Sequence, residues 1–212
     1  MSDMERSNYQ LNSLSKSSMD PDPIRQFQSW LDDALNTDTP EPTAMNLATC
    51  NKAGEVSSRI VLLKACDKRG FMFFTNYESL KASDLNDNIH AALCFWWGIL
   101  ERQVRIQGNI ERLNEKESDA YYSSRPRGSQ IGAIASRQST VIDGYHVLAG
   151  QVEQIEKQYA EEQNIPRPGF WGGYLLRPVS IEFWQGRPSR LHDRLKYKKN
   201  ADGDWFIERL SP

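Results

Sequence analysis

Residues 44–76 read AMNLATCNKAGEVSSRIVLLKACDKRGFMFFTN. Three apolar, β-rich runs, Ala44–Cys50, Val56–Lys64 and Phe71–Asn76, are separated by the turn signals Asn51-Lys52-Ala53-Gly54 and Asp67-Lys68-Arg69-Gly70. That pattern predicts three strands joined by tight turns. Two further strands follow at Ile89–Trp97 and Gln103–Leu113, and four more at Gly173–Leu176, Ser180–Trp184, Arg190–Tyr197 and Trp205–Leu210. Strands at roughly ten-residue spacing imply an antiparallel sheet or barrel.

Helical spacing frames these strands. Ile24, Phe27, Trp30, Leu31 and Leu35 recur as one helix face after the stiff Asp20-Pro21-Asp22-Pro23, and Asn36–Pro42 ends that helix. Ser79 is a candidate cap for a short helix through Asn86. A polar helix runs from Asn114 to about Arg125, and Ser129 is a candidate cap for Gln130–Ser136. Asp143–Gln163 reads as the longest helix. Residues 1–20, rich in Ser, Asn and charge, read as a flexible arm, and residues 21–212 as one domain. The expected class is α+β: a mainly β barrel with helices around it.

Composition narrows the function. A net charge of −2 and a pI near 6.0 disfavour a general nucleic-acid binder. No apolar run approaches a membrane span, and the N-terminus lacks a secretory apolar core. Cys50, Cys66 and Cys94 are few, odd in number and outside metal-ligand spacing, which points to a reducing, cytoplasmic setting and no metal. His90 and His146 read as structural or exposed.

Chemistry concentrates in a few constellations. In an extended Arg190–Arg194, the side chains of Arg190, His192 and Arg194 share one face about 6.6 Å apart. Like charges at that spacing repel by roughly 2.5 kcal/mol at an effective dielectric of 20, so the row asks for an anionic or electron-rich partner. A solvated basic edge strand would show the same pattern. Arg59-Ile60-Val61-Leu62-Leu63-Lys64 reads as a buried strand with a cation at each end, on opposite sides by alternation. Tyr121 and Arg125 share a helix face, and Ser129 opens the next helix; together they could cradle a phosphate or simply face water. Gln103, Gln138 and Ser139 are polar residues beside apolar runs, able to bond a heteroaromatic edge or to act as ordinary sheet and cap residues.

Six segments then converge on one family. RIVLLK (59–64), SSRPRGSQIG (123–132), SRQS (136–139), FWGG (170–173), EFWQG (182–186) and RLHDR (190–194), with the terminal ERLSP, resemble the pyridoxine/pyridoxamine 5′-phosphate oxidases. The resemblance runs from about Arg6 to Pro212. It implies a split β-barrel binding FMN at a homodimer interface. It also implies oxidation of pyridoxamine or pyridoxine 5′-phosphate to pyridoxal 5′-phosphate by molecular oxygen, with release of hydrogen peroxide and, from the amine, ammonia. It places FMN contacts at Arg59, Ile60, Val61, Leu62, Leu63, Lys64, Phe74, Thr75, Lys81, Gln103, Gln138, Ser139, Trp184 and Arg194. Substrate phosphate falls to Lys64, Tyr121, Arg125 and Ser129. Arg190 and His192 lie against the pyridine ring as the catalytic pair, and Arg6 and Tyr9 match an arm that closes over the substrate.

Two positions depart from the family pattern. Leu80 stands where an Arg usually helps hold the FMN phosphate, a loss on the order of 1.5–3 kcal/mol of binding. Phe74 replaces a common Tyr. Two other functions fit part of the pattern: a split-barrel flavin reductase with another substrate, and a non-catalytic flavin or pyridoxal phosphate carrier.

Overall fold

The alternation in residues 44–76 becomes paired strands in the computed structural model, which describes residues 9–212. The elements in chain order are α1 (Pro23–Leu35), β1 (Ala44–Cys50), β2 (Val56–Leu62), β3 (Ala65–Asp67), β4 (Gly70–Asn76) and α2 (Leu80–Asp87). Then come β5 (His90–Trp97), β6 (Arg102–Arg112), α3 (Glu115–Ser124), α4 (Arg127–Ala135), α5 (Tyr145–Gln158), β7 (Trp171–Gln185), β8 (Asp193–Lys199) and β9 (Trp205–Leu210). The strands form one antiparallel sheet in the order β2-β1-β5-β6-β7-β4-β3, with β8 and β9 continuing from β7. The outermost members of that order, β2 and β3, are joined directly through Leu63 and Lys64, and the Lys64 N–H bonds the Met72 carbonyl of β4 at 2.9 Å. The sheet therefore curls back on itself as a barrel.

Its interior is filled by alternate residues of β1, β4, β5, β6, β7 and β8, among them Met45, Leu47, Phe71, Phe73, Leu93, Phe95, Val104, Ile106, Ile181, Phe183 and Leu195. Helix α1 closes one end. Asp22 caps it by accepting the Ile24 N–H at 2.8 Å, and Pro23 occupies the first turn, where no N–H is needed. Its apolar stripe then places Phe27 edge-on to Phe71 (4.8 Å) and Trp30 edge-on to Phe183 (5.1 Å). A second cluster, Tyr122, Ile131, Ile165 and Trp171, binds the helical side to the start of β7.

Several expectations are corrected. The runs Gly173–Leu176 and Ser180–Trp184 are a single strand, β7. Pro178 lacks an N–H and looks like a break, but it falls at a bulge where the β6 register shifts between Gln107 and Gly108. The first half of β7 pairs with β4 and the second with β8, so the sheet forks there. The strand expected from Arg190 starts at Asp193, because Pro188–Arg190 forms a 3-10 turn with φ of 55° at Ser189 and 63° at Arg190. Arg190, His192 and Arg194 are thus not one strand face. Strand β2 ends at Leu62 and is an edge, with Val56, Ile60 and Leu62 exposed rather than buried.

Helix α4 begins at Arg127 with Pro126 as its cap, so Ser129 lies inside the first turn and its N–H is spent on the Pro126 carbonyl at 2.8 Å. Helix α5 is shorter than the expected span, Tyr145–Gln158. Residues 9–20, assigned by composition to the arm, are seated. Met19 is buried, and the Leu14 N–H bonds Asp193 at 3.0 Å. Among the described residues no helix is long and apolar enough to cross a membrane.

Candidate active site

Where β2 gives way to β3, the barrel edge faces α3 and α4 across a cleft of about 570 Å³. Twelve of the residues singled out in the sequence line it: Arg59, Ile60, Val61, Leu62, Lys64, Phe74, Thr75, Lys81, Tyr121, Arg125, Ser129 and Gln138. Because β2 stops before Lys64, Arg59 and Lys64 serve the same cleft rather than opposite sides. Leu63 is instead a core residue, 5% exposed. Among the described residues the lining holds four cations and no carboxylate. Such a concentration in a chain of net charge −2 marks an anion site.

Arg125 anchors one end. It follows α3, and its guanidinium lies 4.5 Å over the ring of Trp171. Burial pulls its pKa below the usual arginine value, yet it remains charged. Its Nη1 is buried without a hydrogen-bond partner among the described residues. Buried donors are rarely left so, and a phosphate oxygen is the natural complement. The wall beside it is a stack: Phe74 on Tyr121 at 3.9 Å and 22°, and Trp171 at 5.7 Å from Phe74. Gly173 makes room for this stack, since a Cβ there would meet Phe74 at 2.7 Å and Leu113 at 2.5 Å.

The other end holds Arg59 and Lys81. Arg59 is tied down: Nη1 donates to Thr49 Oγ1 at 2.7 Å and the Leu47 carbonyl at 3.1 Å, and the buried Asp84 lies 3.9 Å away. Among the described residues Lys81 Nζ meets only neutral oxygens, Thr75 Oγ1 and Ser79 Oγ at 3.2 Å each and Gln138 Oε1 at 2.5 Å. Burial first, and Arg59 second, bring its pKa down to about 8. Ser139, with φ of 73°, turns its Oγ to the Leu80 N–H at 3.2 Å and lines a neighbouring hollow. Leu80 itself is 58% exposed.

The remaining predicted residues gather elsewhere. Gln103 pairs with Trp184 across β6 and β7, and Trp184 with Arg194 across β7 and β8. Directly paired residues share a face. Trp96 of β5 extends the row, opposite Gln103. His192 packs against Trp184 with centroids 4.5 Å apart. Its Nδ1 accepts the Arg187 N–H at 3.1 Å, which puts the ring proton on Nε2. Burial and then Arg190 lower its pKa, so at neutral pH it is an uncharged donor at Nε2. Arg190 is exposed, with φ of 63°, a left-handed backbone that costs a non-glycine residue energy.

Tyr9 covers this second cluster, edge-on to Trp184 at 5.7 Å and to His192 at 5.9 Å. Its approach depends on Gly186, where a Cβ would meet the Tyr9 ring at 2.6 Å. The backbone beyond it is strapped by Glu101 Oε2, which accepts the Gln10 and Leu11 N–H groups at 2.9 and 3.1 Å. Arg6 lies outside the described residues.

Sequence reasoning missed Trp171, Glu101 and Glu182. Trp171 and Glu182 stood inside quoted motifs, FWGG and EFWQG, without a role; Glu101 carried no signal beyond its charge.

Comparison with known proteins agrees with this geometry. Residues 31–159 match the family model described as pyridoxamine 5′-phosphate oxidase, and residues 171–212 match that of the pyridoxine 5′-phosphate oxidase C-terminal dimerisation region. The pyridoxine/pyridoxamine 5′-phosphate oxidase of Cupriavidus metallidurans is 56% identical, covering 98% of this chain and 97% of its own. That of Salinibacter ruber is 52% identical over the same shares. Among solved structures, PhzG from Burkholderia lata, in complex with tetrahydrophenazine-1-carboxylic acid, superposes with a TM-score of 0.88 at 29% identity, covering 95% of this chain and 99% of that one. A barrel edge opening on a carboxylate-free basic cleft, matched along both segments and nearly end to end, places this chain in the pyridoxine/pyridoxamine 5′-phosphate oxidase family.

Proposed function

We propose that this protein is a pyridoxal 5′-phosphate synthase, oxidising pyridoxamine 5′-phosphate and pyridoxine 5′-phosphate to pyridoxal 5′-phosphate with FMN as cofactor. The observation that carries the reading is the cleft itself, lined among the described residues by four cations and no carboxylate, with Arg125 Nη1 buried and lacking a described hydrogen-bond partner. Cofactor and substrate both bear a phosphate, and the cleft has two separated cationic ends. FMN, when bound, would supply the hydride acceptor, with molecular oxygen as the final oxidant and hydrogen peroxide as its product; from the amine substrate, water would hydrolyse the oxidised C=N group and release ammonia.

The protein's own work is positioning. Lys64, Tyr121, Arg125 and Ser129 hold the substrate phosphate, a remote handle whose binding energy orients the reacting carbon. Lys81, Thr75, Gln138, Ser139 and Arg59 hold the flavin end, and the edge residues Ile60, Val61 and Leu62 flank it. Arg190 covers the substrate ring. His192 donates from Nε2 toward the ring or the reacting group, because its Nδ1 lone pair is taken by the Arg187 N–H. Tyr9 excludes water above Trp184 and His192.

Gln103, Trp184 and Arg194 are not among the residues lining the cleft. A second copy of the chain would bring them to it, and the exposed Ile60, Leu62 and Trp96 offer apolar surface for that contact. The description of the C-terminal model as a dimerisation region supports a homodimer. The unpaired Cys50, Cys66 and Cys94 support a cytoplasmic setting.

The test is an absorbance spectrum of the purified protein before and after anaerobic addition of pyridoxamine 5′-phosphate. Bleaching of a flavin band, restored by air with release of peroxide, is expected. A yellow protein whose band is unchanged by either substrate would refute the assignment.

A further inference from the structure

Glu182 is a buried carboxylate, its side chain 7% exposed, on a strand whose neighbouring Ile181 and Phe183 point into the core. Burying a charge in that way is costly unless it is paired. Both oxygens are engaged: Oε1 accepts from Arg194 Nε at 2.8 Å, and Oε2 from Arg105 Nη1 at 3.4 Å. The two partners arrive differently. Arg105 is directly opposite Glu182 in the β6–β7 register, whereas Arg194 is opposite Trp184 and reaches Glu182 diagonally. Arg194 is also held from its other side, where Nη1 donates to the Ser211 carbonyl at 3.0 Å. A guanidinium is a flat, rigid fork, so two such holds fix its plane. Among the described residues, Arg194 Nη2 has no hydrogen-bond partner. The Arg105–Glu182–Arg194 group keeps one net positive charge.

We infer that Glu182 is a positioning residue for the flavin site: with the Ser211 carbonyl, it locks the Arg194 guanidinium beside Trp184 with one nitrogen left for the flavin. This rests on the proposed assignment of Gln103, Trp184 and Arg194 to the flavin. Glu182 itself, shut behind the two arginines, does not touch the ligand. Its effect is to give a long, flexible side chain a single orientation before the flavin arrives, which lowers the ordering cost of binding.

The experiment is a double-mutant cycle read as flavin retention: fluorescence released when the holoprotein is diluted, with melting temperature recorded in parallel. Glu182→Gln keeps the shape and removes the charge. Glu182→Asp keeps the charge and withdraws it by one methylene, so the fold has its ion pair if the first variant is unstable. Each is expected to weaken flavin retention by about tenfold, the scale of one misplaced charge-assisted hydrogen bond. In an Arg194→Ala background, neither is expected to weaken it further. Losses that persist undiminished in that background would overturn the inference, because Glu182 would then act on the fold and not through Arg194. Glu182 variants that retain flavin normally would also overturn it. Failure of the underlying flavin reading looks different: Arg194→Ala alone would leave retention unchanged.

Discussion

Flavin retention is expected to fall as pH rises through 8, and Lys81→Arg is expected to abolish that fall. Lys81 is the cation at the proposed flavin end without a carboxylate partner among the described residues, and its pKa is drawn from 10.5 to about 8 by burial and by Arg59. A bound phosphate dianion favours the ammonium form and raises that pKa again. Between the two values, binding takes up one proton, so affinity drops by about tenfold per pH unit. The cofactor's phosphate, with a second pKa near 6, is already a dianion there and adds no slope. Half the lysine is already neutral at pH 8, so retention at pH 9.5 is expected to be roughly 15-fold weaker than at pH 8. The folding linkage has the opposite sign. The unfolded lysine binds its proton up to 10.5 while the folded one loses it near 8, so flavin-free stability rises as pH goes from 8 to 10.5. Affinity falling while flavin-free stability rises is the signature of this group. The assay is flavin fluorescence on dilution of the holoprotein across pH 7 to 9.5, beside thermal melts of the flavin-free form. Arginine stays charged throughout, so Lys81→Arg should give a flat profile. The same slope in Lys81→Arg, or no slope in the wild type, would refute the reasoning.

Arg125→Leu is expected to raise KM for both phosphate substrates by roughly 10- to 100-fold, the loss of one charge-assisted contact. Flavin-free stability should stay within about 1 kcal/mol of wild type, because the unpartnered Nη1 and the packing on Trp171 offset each other; steady-state kinetics and a urea melt check both. Gly186→Ala should displace Tyr9 from Trp184 and His192, since a Cβ there overlaps the Tyr9 ring, and lower kcat/KM by about tenfold at unchanged flavin content. An equal loss in a Tyr9→Ala variant, with no added loss in the double variant, is the expected kinetic pattern. Leu80→Arg adds a cation beside Lys81 at an exposed position and should tighten flavin retention about tenfold; unchanged retention would show that the cradle needs no second charge there.

Much of the barrel was legible because its strands are half-buried and tightly turned. Period-two alternation and Gly- or Asn-containing turns give β1, β2 and β4 to within two residues. The reading went wrong where local chemistry and tertiary pairing disagree. Pro178 signals a strand end, yet a bulge opposite Gly108 accommodates it without ending β7. Ile60 and Leu62 look like core, but β2 has a partner on one side only, and their exposure reflects sheet position, which no local pattern encodes. Ser189 and Arg190 carry no sequence mark of left-handed backbone, so the extended row from Arg190 was drawn through a turn.

The site was legible in a different way. Cationic side chains such as Lys64, Lys81 and Arg125 announce an anion by type alone; Tyr121 and Arg125 do line one cleft, but not as a helix face, since α3 ends at Ser124 and Arg125 follows it in extended backbone. What joins them is register. Gln103, Trp184 and Arg194 come from three strands and share a row only because β7 pairs with β6 on one edge and β8 on the other. The supporting residues stayed hidden for the same reason. Glu182 is unremarkable in sequence, and its meaning depends on two arginines, one directly across the sheet and one diagonal to it. A carboxylate that holds an arginine costs the fold a buried charge and returns a fixed geometry, so its value lies in what the arginine faces. Residues of that kind are invisible to composition and spacing and become readable only when strand pairing shows which side chains share a face. The basic row near the C-terminus is accordingly two devices: Arg190 on a left-handed turn with His192 packed on Trp184 just beyond it, and Arg194 fixed on the sheet beside Trp184.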